Sequence, residues 1–200
     1  MNIWFTSDTH FSHKSIVKYC PKTRGQFVEP DGSPALYWMN QTMVDEWNSK
    51  VQPDDIVYFL GDWSLNHNVR NKYLAMLNGR IFWVRGNHDS KIEKSRHLVQ
   101  AIAKRSMVVE HDGLKMFLVH SPYDAHEAPD DVDFVVCGHV HDLWQYKKKG
   151  DVVSPYITKE HQEGEFVARH NIINVGLDAW EFKMLSFREL KALAWLLKGE

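Results

Sequence analysis

The stretch Ile81-Phe82-Trp83-Val84-Arg85-Gly86-Asn87-His88-Asp89 joins an apolar run to a glycine and to three polar side chains that can bind metals or transfer protons. The short apolar run predicts a buried strand over residues 81–84. A glycine at its end permits a sharp turn and a close approach of the backbone to a ligand. Side chains just past the carboxyl end of a strand face the crevice in which open α/β sheets bind their ligands.

Four other apolar runs end at residues of the same chemical types. The predicted strands at 2–7, 56–60, 114–119 and 132–137 are followed by Asp8 and His10, by Asp62, by His120, and by His139 and His141. Because the carboxyl ends of parallel strands gather at one edge of a sheet, we expect all these side chains to meet there. Residues two apart in an extended chain point to the same face, so each of the two i, i+2 pairs is expected to bind a common centre.

The rest of the pattern alternates helices with strands early in the chain and pairs strands as a hairpin later. Helices are predicted over 11–20, 35–49, 67–77 and 93–104 and from Ser186 to about 197, with a hairpin at 107–119 and a last strand at 172–176. Residues 21–34 predict an irregular loop and residues 145–165 a hairpin or a loop, and substrate specificity is expected to lie in these two segments. This order of elements favours a mixed α/β layered sandwich.

Composition limits the class of protein. Two hundred residues with 44% apolar content fit one domain over residues 1–200. The net charge of -2 argues against a broad nucleic-acid-binding face. No apolar run reaches the ~18 residues of a membrane span, and two cysteines do not make a disulfide framework. We therefore expect a cytoplasmic protein with no stable nucleic-acid partner and no membrane attachment; its oligomeric state is left open.

The candidate ligands are imidazoles, carboxylates and one amide, without a thiolate. This set favours hard or borderline divalent metals: manganese first, with iron, zinc, nickel or cobalt as alternatives. Seven candidate ligands are too many for one tetrahedral ion and suit two ions that share a bridge. Two divalent cations outweigh the carboxylates of Asp8 and Asp62, so the centre stays cationic and attracts phosphate oxygens. The sequence thus predicts metal-assisted hydrolysis of a phosphate ester.

The order of these blocks resembles the signature of the calcineurin-like metallophosphoesterases. The matching blocks are Asp8-X-His10, Gly61-Asp62, Gly86-Asn87-His88-Asp89, His120 and Gly138-His139-X-His141. The resemblance implies a four-layer αββα sandwich with two metals at one edge. By position it assigns Asp8, His10, Asp62 and His141 to the first metal. It assigns Asp62 as the bridge, together with Asn87, His120 and His139, to the second.

The resemblance also makes His88 the catalytic histidine, which donates a proton to the leaving oxygen or holds the phosphate. Imidazole suits this work because it titrates near neutrality. Asp62 takes part in catalysis as the bridge, and Asn87 and His88 contact the substrate. Asp89 is expected to orient His88 or to cap the helix that follows. The further candidates for contact with the substrate are His13, Arg24, Asn66 and Arg85.

The preferred function is hydrolysis of a small phosphodiester by in-line attack of a metal-bridging hydroxide. A phosphomonoesterase on the same centre, including a protein phosphatase, is the main alternative. A nuclease and a catalytically silent protein-binding scaffold are weaker ones. In the phosphoprotein phosphatases of this superfamily an Asp and an Arg continue the second block, where this chain has Leu65 and Asn66. This departure disfavours a phosphoprotein substrate.

Overall fold

A computed structural model describes residues 1–154 and 164–199. Within them the strands, numbered in chain order, are β1 Ile3–Thr6, β2 Ile56–Phe59, β3 Arg80–Val84, β4 Ala101–Ala103, β5 Ser106–His111, β6 Leu114–Val119, β7 Phe134–Cys137, β8 Tyr146–Lys147, β9 Val152–Val153, β10 Phe166–Val167, β11 Ile172–Asn174 and β12 Leu185–Ser186. The helices are α1 Ile16–Tyr19, α2 Pro21–Arg24, α3 Leu36–Lys50, α4 His67–Leu74 and α5 Phe187–Lys198, with 3₁₀ helices at Ile92–Leu98, Pro122–Glu127 and Leu177–Trp180. Residues 155–163, part of the loop predicted at 145–165, lie outside this description.

Two five-stranded sheets carry the fold. The first has the order β12-β1-β2-β3-β4, in which β1 to β4 are parallel and β12 is antiparallel to β1. The second has the order β5-β6-β7-β11-β8, with β6, β7 and β11 parallel and both edge strands antiparallel. A parallel bridge between Ser7 and Gly176, just past β1 and β11, joins the two sheets.

Both sheets bury both of their faces. Apolar residues of β1, β2 and β3 pack between the sheets against those of β6, β7 and β11, together with Leu190 of α5. The outer face of the first sheet is covered by α3 and α4, for example through Trp47 and Leu74. The outer face of the second is covered, among the described residues, by the 3₁₀ helix Pro122–Glu127 and the β9–β10 pair. The predicted α/β fold class, a layered sandwich of the metallophosphoesterase type, is confirmed, although in the described part of the chain the fourth layer consists of a 3₁₀ helix and the antiparallel β9–β10 pair.

Side-chain hydrogen bonds and backbone conformation determine where α5 begins and where the β5–β6 hairpin turns. At the start of α5, Ser186 accepts a hydrogen bond from the backbone N–H of Glu189, and the Glu189 carboxylate accepts one from the backbone N–H of Ser186. The β5–β6 hairpin turns at Asp112 and Gly113, whose φ values of 49° and 73° are the left-handed pair that a two-residue type I′ turn requires.

Most of the predicted elements are confirmed, but two helices are not. The segment predicted as a helix at 93–104 forms the 3₁₀ helix Ile92–Leu98 and then β4, because Ala101–Ala103 pairs in parallel with β3. The helix predicted at 11–20 shrinks to α1, since Ser12 has a left-handed φ of 60°. In addition, α2 lies in the predicted loop 21–34, and β12 follows the strand predicted as the last.

Two further observations concern the chain as a whole. None of the helices found within residues 1–154 and 164–199 has both the length and the apolar character that crossing a bilayer demands. Cys20 and Cys137 are both buried and free.

Candidate metal centre

All seven predicted ligands lie just past the ends of strands, but the strands belong to both sheets. Asp8, His10, Asp62 and Asn87 follow β1, β2 and β3 of the first sheet, and His120, His139 and His141 follow β6 and β7 of the second. The expectation that one sheet edge gathers them is therefore wrong. They meet because the parallel strands of the two sheets end at the same side of the sandwich.

Six of these side chains form two compact groups. The first ligand group is Asp8, His10 and His141, and the second ligand group is Asp62, His120 and His139. Within each group the potential ligand atoms lie within 4.8 Å of one another. The first i, i+2 pair, Asp8 and His10, falls within one group, whereas the second pair, His139 and His141, is divided between the groups. The assignment of each side chain to a metal stays a prediction.

Five of the predicted ligands have a left-handed backbone. The φ values are 57° at Asp8, 46° at His10, 60° at Asp62, 73° at His139 and 46° at His141. The extended conformation assumed for the i, i+2 pairs is therefore wrong. Such φ values are uncommon outside glycine and cost on the order of 1 kcal/mol each, so the surrounding structure must hold them in place. Strain of this kind concentrates at functional sites.

Three glycines let the loops of the centre approach one another. A Cβ on Gly86 would collide with Oδ1 of Asp62, and a Cβ on Gly138 would collide with Oδ2 of Asp8. Gly61 has a φ of 91°, and a Cβ there would lie 2.5 Å from the backbone nitrogen of Gly86. A side chain at Gly86 or Gly138 would displace one of the two carboxylates, and a side chain at Gly61 would collide with the backbone of Gly86.

Asp62 lies between the two ligand groups. Its Oδ2 is 3.7 Å from Nε2 of His10 and 3.4 Å from Nε2 of His120, one nitrogen from each group. Its Oδ1 accepts a hydrogen bond of 2.9 Å from the backbone N–H of His88, which fixes the orientation of the carboxylate. A carboxylate placed in this way can bridge two cations.

The second ligand group contains a fixed imidazole. Nδ1 of His120 donates to the carbonyl oxygen of Leu60 at 2.6 Å, so Nε2 faces Asp62 and, at 2.8 Å, Oδ1 of Asn87. The same Asn87 oxygen lies 3.1 Å from Nδ1 of His139. Burial by itself lowers the pKa of His120, but the Asp62 carboxylate outweighs burial and raises this pKa to about 10. Asp62 thus stabilises positive charge at Nε2, which a metal cation would supply.

The first ligand group contains buried polar atoms without a hydrogen-bond partner in the described part of the chain. These are Oδ1 of Asp8 and both ring nitrogens of His10, and Oδ1 lies 3.9 Å from Nε2. An unsatisfied buried polar group costs about 1–3 kcal/mol and is rare. Burial also holds the pKa of His10 well below its ordinary value, so its imidazole is neutral, the form that binds metals. This donor set fits a divalent cation.

Asp178 supports the first ligand group, although no motif in the sequence points to it. Nδ1 of His141 donates to Oδ2 of Asp178 at 2.9 Å, which leaves Nε2 to bind a metal. Burial opposes ionisation of Asp178, but Arg24 holds the pKa of its carboxyl well below the usual range. Cys20, His141 and Asp178 also lie close together. Because Asp178 is already bonded to His141 and Arg24, we regard this cluster as support for His141.

Arg24 is a structural residue, and the prediction that it contacts the substrate is wrong. Its Nη atoms donate to the carbonyl oxygens of Asp8 at 2.7 Å and Thr9 at 2.8 Å, and its guanidinium pairs with both carboxylate oxygens of Asp178. The side chain is fully buried, so a phosphate has no access to it. Arg24 instead holds the left-handed loop after β1.

Asp89 likewise has a role that differs from both predicted ones. It neither orients His88 nor caps a helix. Its buried carboxylate accepts hydrogen bonds from the backbone N–H groups of Asp62, Trp63 and Gly86 and from Nε1 of Trp83. It therefore fixes the loops after β2 and β3 relative to each other.

His88 and His13 line the open side of the centre. Nε2 of His88 lies 3.9 Å from Oδ2 of Asp62, and 28% of its side chain is exposed. The rings of His88 and His13 contact that of His10, at centroid distances of 5.7 Å and 5.4 Å. His13 lies in the turn before α1, where it can reach the mouth of the site.

The remaining candidates for contact with the substrate, Asn87 and Asn66, lie in different surroundings. Asn87 is exposed beside the second ligand group, where contact with both a metal and a substrate is possible. Asn66 caps α4, since its side chain accepts a hydrogen bond from the backbone N–H of Asn68. Its contact with the substrate stays a prediction without support from this geometry.

The fold and the centre together define a class: an α/β sandwich with buried carboxylates and imidazoles at one end, arranged to bind divalent metals. Over residues 1–156 the chain matches the calcineurin-like phosphoesterase superfamily domain, and it belongs to this superfamily. Membership implies divalent metal ions and phosphoesterase chemistry.

The chain is also similar to other proteins over most of its length. The chain is 37% identical over 142 residues to an uncharacterized protein of Methanocaldococcus jannaschii, covering 70% of this chain and 69% of that protein. It is 25% identical over 205 residues to the gene 66 protein of Mycobacterium phage L5, covering 90% and 87%. The crystal structure of a protein of unknown function from Aquifex aeolicus is similar in fold, with a TM-score of 0.68, 24% identity, and coverage of 96% and 98%.

Proposed function

We propose that the protein hydrolyses a small phosphodiester with two divalent cations, manganese first among the candidates. The position of Asp62 supports this most directly, because its Oδ2 faces His10 in one ligand group and His120 in the other. A carboxylate shared by two groups suits a pair of ions. The first ion would be held by Asp8, His10, Asp62 and His141, and the second by Asp62, Asn87, His120 and His139.

Two divalent cations, when bound, would acidify a water for in-line attack on phosphorus and neutralise charge on the phosphate oxygens. His88 would donate a proton to the leaving oxygen, because its ring is half-buried at the mouth and its Nε2 lies near Asp62. The imidazole of His13, which contacts His10 as that of His88 does, would line the mouth of the site on the same side.

A small diester is preferred to a phosphoprotein because of the residues that follow Asp62. Leu65 is 49% exposed and Asn66 caps α4, so neither supplies the Asp and Arg that the phosphoprotein phosphatases use at these places. The substrate therefore has to be recognised by groups elsewhere around the centre.

The test compares bis-p-nitrophenyl phosphate with p-nitrophenyl phosphate on protein stripped of metal and reloaded with Mn²⁺, Fe²⁺, Zn²⁺, Ni²⁺ or Co²⁺. We expect about two ions per chain by elemental analysis and a higher kcat/KM for the diester. Asp62→Asn, which keeps the shape of the side chain, should abolish turnover and lower metal content. A higher kcat/KM for the monoester would overturn the diester proposal. Full loading without hydrolysis of either ester would favour the silent scaffold.

A further inference from the structure

A cavity of about 360 Å³ opens beside the second ligand group and has three cations in its lining. The lining joins Asn87, His120 and His139 to Arg85, Lys104 and Arg105. Asp124 is the one carboxylate in the described part of that lining, so the cavity carries a net positive charge even before any metal is counted. A group bound at the ligand groups would therefore extend into a cationic space.

The pairing of β3 with β4 places these cations together. Val84 and Ala103 are register partners in parallel strands, and the backbone N–H of Arg85 donates to the carbonyl of Ala103 at 3.0 Å. Arg85 and Lys104 consequently leave two adjacent strand ends, with backbones about 5 Å apart. Arg85 is also only two residues from Asn87. β4, which lies where the sequence predicts a helix, thus brings Lys104 and Arg105 next to Arg85 at the edge of the centre.

These cations are available to a ligand. The side chains of Arg85 and Lys104 are exposed, and within the described residues no ion pair or side-chain hydrogen bond engages them. Arg105 pairs with Glu127 at 3.1 Å, but 79% of its side chain is exposed. An exposed pair of this kind contributes little, so Arg105 can exchange Glu127 for a more highly charged anion.

We propose that this cavity binds a second phosphate group of the substrate, carried next to the phosphoester that is hydrolysed. This inference rests on the proposed function, because it places the scissile phosphoester at the ligand groups. Guanidinium groups match phosphate oxygens through paired N–H donors, and a lysine adds a compact positive charge. The chain as a whole has a net charge of -2, so the attraction is local and suits a small substrate with two phosphates better than a long polyanion.

The kinetic test uses two matched esters, thymidine 5′-(p-nitrophenyl phosphate) and the same compound with a 3′-phosphate. We expect the wild-type metal-loaded protein to prefer the 3′-phosphorylated ester by about tenfold in kcat/KM. Arg85→Gln and Lys104→Gln should each bring this ratio severalfold closer to one. Rising salt concentration should also bring this ratio closer to one, because salt screens exposed cations. The matched control is Lys183→Gln, since Lys183 is an exposed cation beside β12, at the opposite edge of the same sheet.

A wild-type ratio near one, or an equal loss of the preference in Lys183→Gln, would overturn the second-phosphate site while leaving the phosphodiesterase proposal intact. An oligothymidylate cleaved with a higher kcat/KM than the 3′-phosphorylated ester would overturn the small-substrate part and assign the second phosphate to a nucleic-acid backbone.

A calorimetric titration separates this inference from the proposed function. If neither ester is hydrolysed, the proposed function fails. The affinities for thymidine 3′,5′-bisphosphate and thymidine 5′-phosphate then test whether the cavity binds a second phosphate. Tighter binding of the bisphosphate that is lost in Lys104→Gln would support the cavity as a phosphate site. Equal affinities would overturn it.

Discussion

At the scale of single residues, His88 and Asp178 contact different members of the same centre, Asp62 and His141. His88 is half-buried at the mouth, and Asp178 is buried beneath His141. The first can reach a substrate and the second can act only through the residue that it holds. Substitution of His88 should therefore affect turnover, whereas substitution of Asp178 should affect metal binding.

We expect His88→Ala to lower kcat about 10²–10³-fold while metal content stays unchanged, because general acid catalysis contributes rate and not ligation. Turnover of the diester and elemental analysis of the purified variant provide the measurement. The control is His97→Ala, at an exposed histidine of the 3₁₀ helix Ile92–Leu98. Loss of metal from His88→Ala would instead move His88 into the ligand shell.

We expect Asp178→Asn to weaken metal affinity about 10–100-fold, because His141 loses the carboxylate that orients it. The buried charge of Arg24 also loses its partner, so unfolding should need about 3 kcal/mol less free energy. Competition with a chelator gives the affinity, and kcat at saturating metal should largely recover. A less stable variant with unchanged metal affinity would reduce Asp178 to a structural role.

The seven candidate ligands could be predicted at this scale because strand, turn and ligand type recur together along the sequence. Asp178 could not, since it is a single acid 37 residues beyond His141 with no repeated spacing around it. The prediction that Arg24 contacts the substrate was wrong for a related reason. Its partner Asp178 is 154 residues away, and only the folded chain turns the guanidinium inward.

At the scale of the elements, β4 is a strand that the periodicity of the sequence does not predict. Ala101–Ala103 is a three-residue strand whose sequence suits a helix, and its conformation is set by hydrogen bonds to β3. Such tertiary pairing overrides a weak local preference. Long and strongly patterned elements such as α3, and the capping box before α5, are the ones that the sequence predicts well.

Asp55 ties the start of β1 to the start of β2. Its buried carboxylate accepts hydrogen bonds from the backbone N–H groups of Asn2 and Gln52 and from Nε1 of Trp4. Burial by itself raises the pKa of Asp55, but these hydrogen bonds outweigh it and lower the pKa below its ordinary value. The stabilisation is therefore complete above the unfolded-state pKa and is lost as the pH falls through the folded-state pKa.

We expect Asp55→Asn to lower the free energy of unfolding by about 1–3 kcal/mol at neutral pH. The difference from the wild type should shrink below about pH 4, where the Asp55 carboxyl of the unfolded chain begins to be protonated. Urea unfolding across that range measures it. The neighbouring exposed Asp54, changed to Asn, is the control and should have little effect at any pH. A difference that is constant with pH would show that the charge of Asp55 is not what stabilises the fold.

At the scale of the whole molecule, each ligand group draws on both sheets. Asp8 and His10 follow β1 whereas His141 follows β7, and Asp62 follows β2 whereas His120 and His139 follow β6 and β7. Each bound ion would thus link the two halves of the sandwich. The sequence predicts the fold class from its alternation of elements, but strand patterns carry no information on which sheet a strand joins, so this division was not predicted.

We expect metal to raise the thermal stability of the protein, because the complete ligand groups exist only when both sheets are packed together. Metal at about 100 times its Kd adds about 2.7 kcal/mol, which corresponds to a Tm increase of about 5–10 °C for a chain of this size. Scanning calorimetry with Mn²⁺ and with a chelator measures the shift. Asp62→Asn should show a smaller one, and an unchanged Tm in the wild type would contradict the idea that the ions link the sheets.

The left-handed backbone at five ligand positions restricts which substitutions this site tolerates over evolutionary time. Asparagine and glycine enter that region at little cost, whereas valine, isoleucine and threonine do so only with difficulty. At Asp62, whose φ is 60°, asparagine would remove the chemistry and keep the path of the chain. A β-branched residue would disturb both. In a descendant without hydrolytic activity, the backbone of this site would therefore change slowly. Its loops would keep the conformation of an active site long after the activity had been lost.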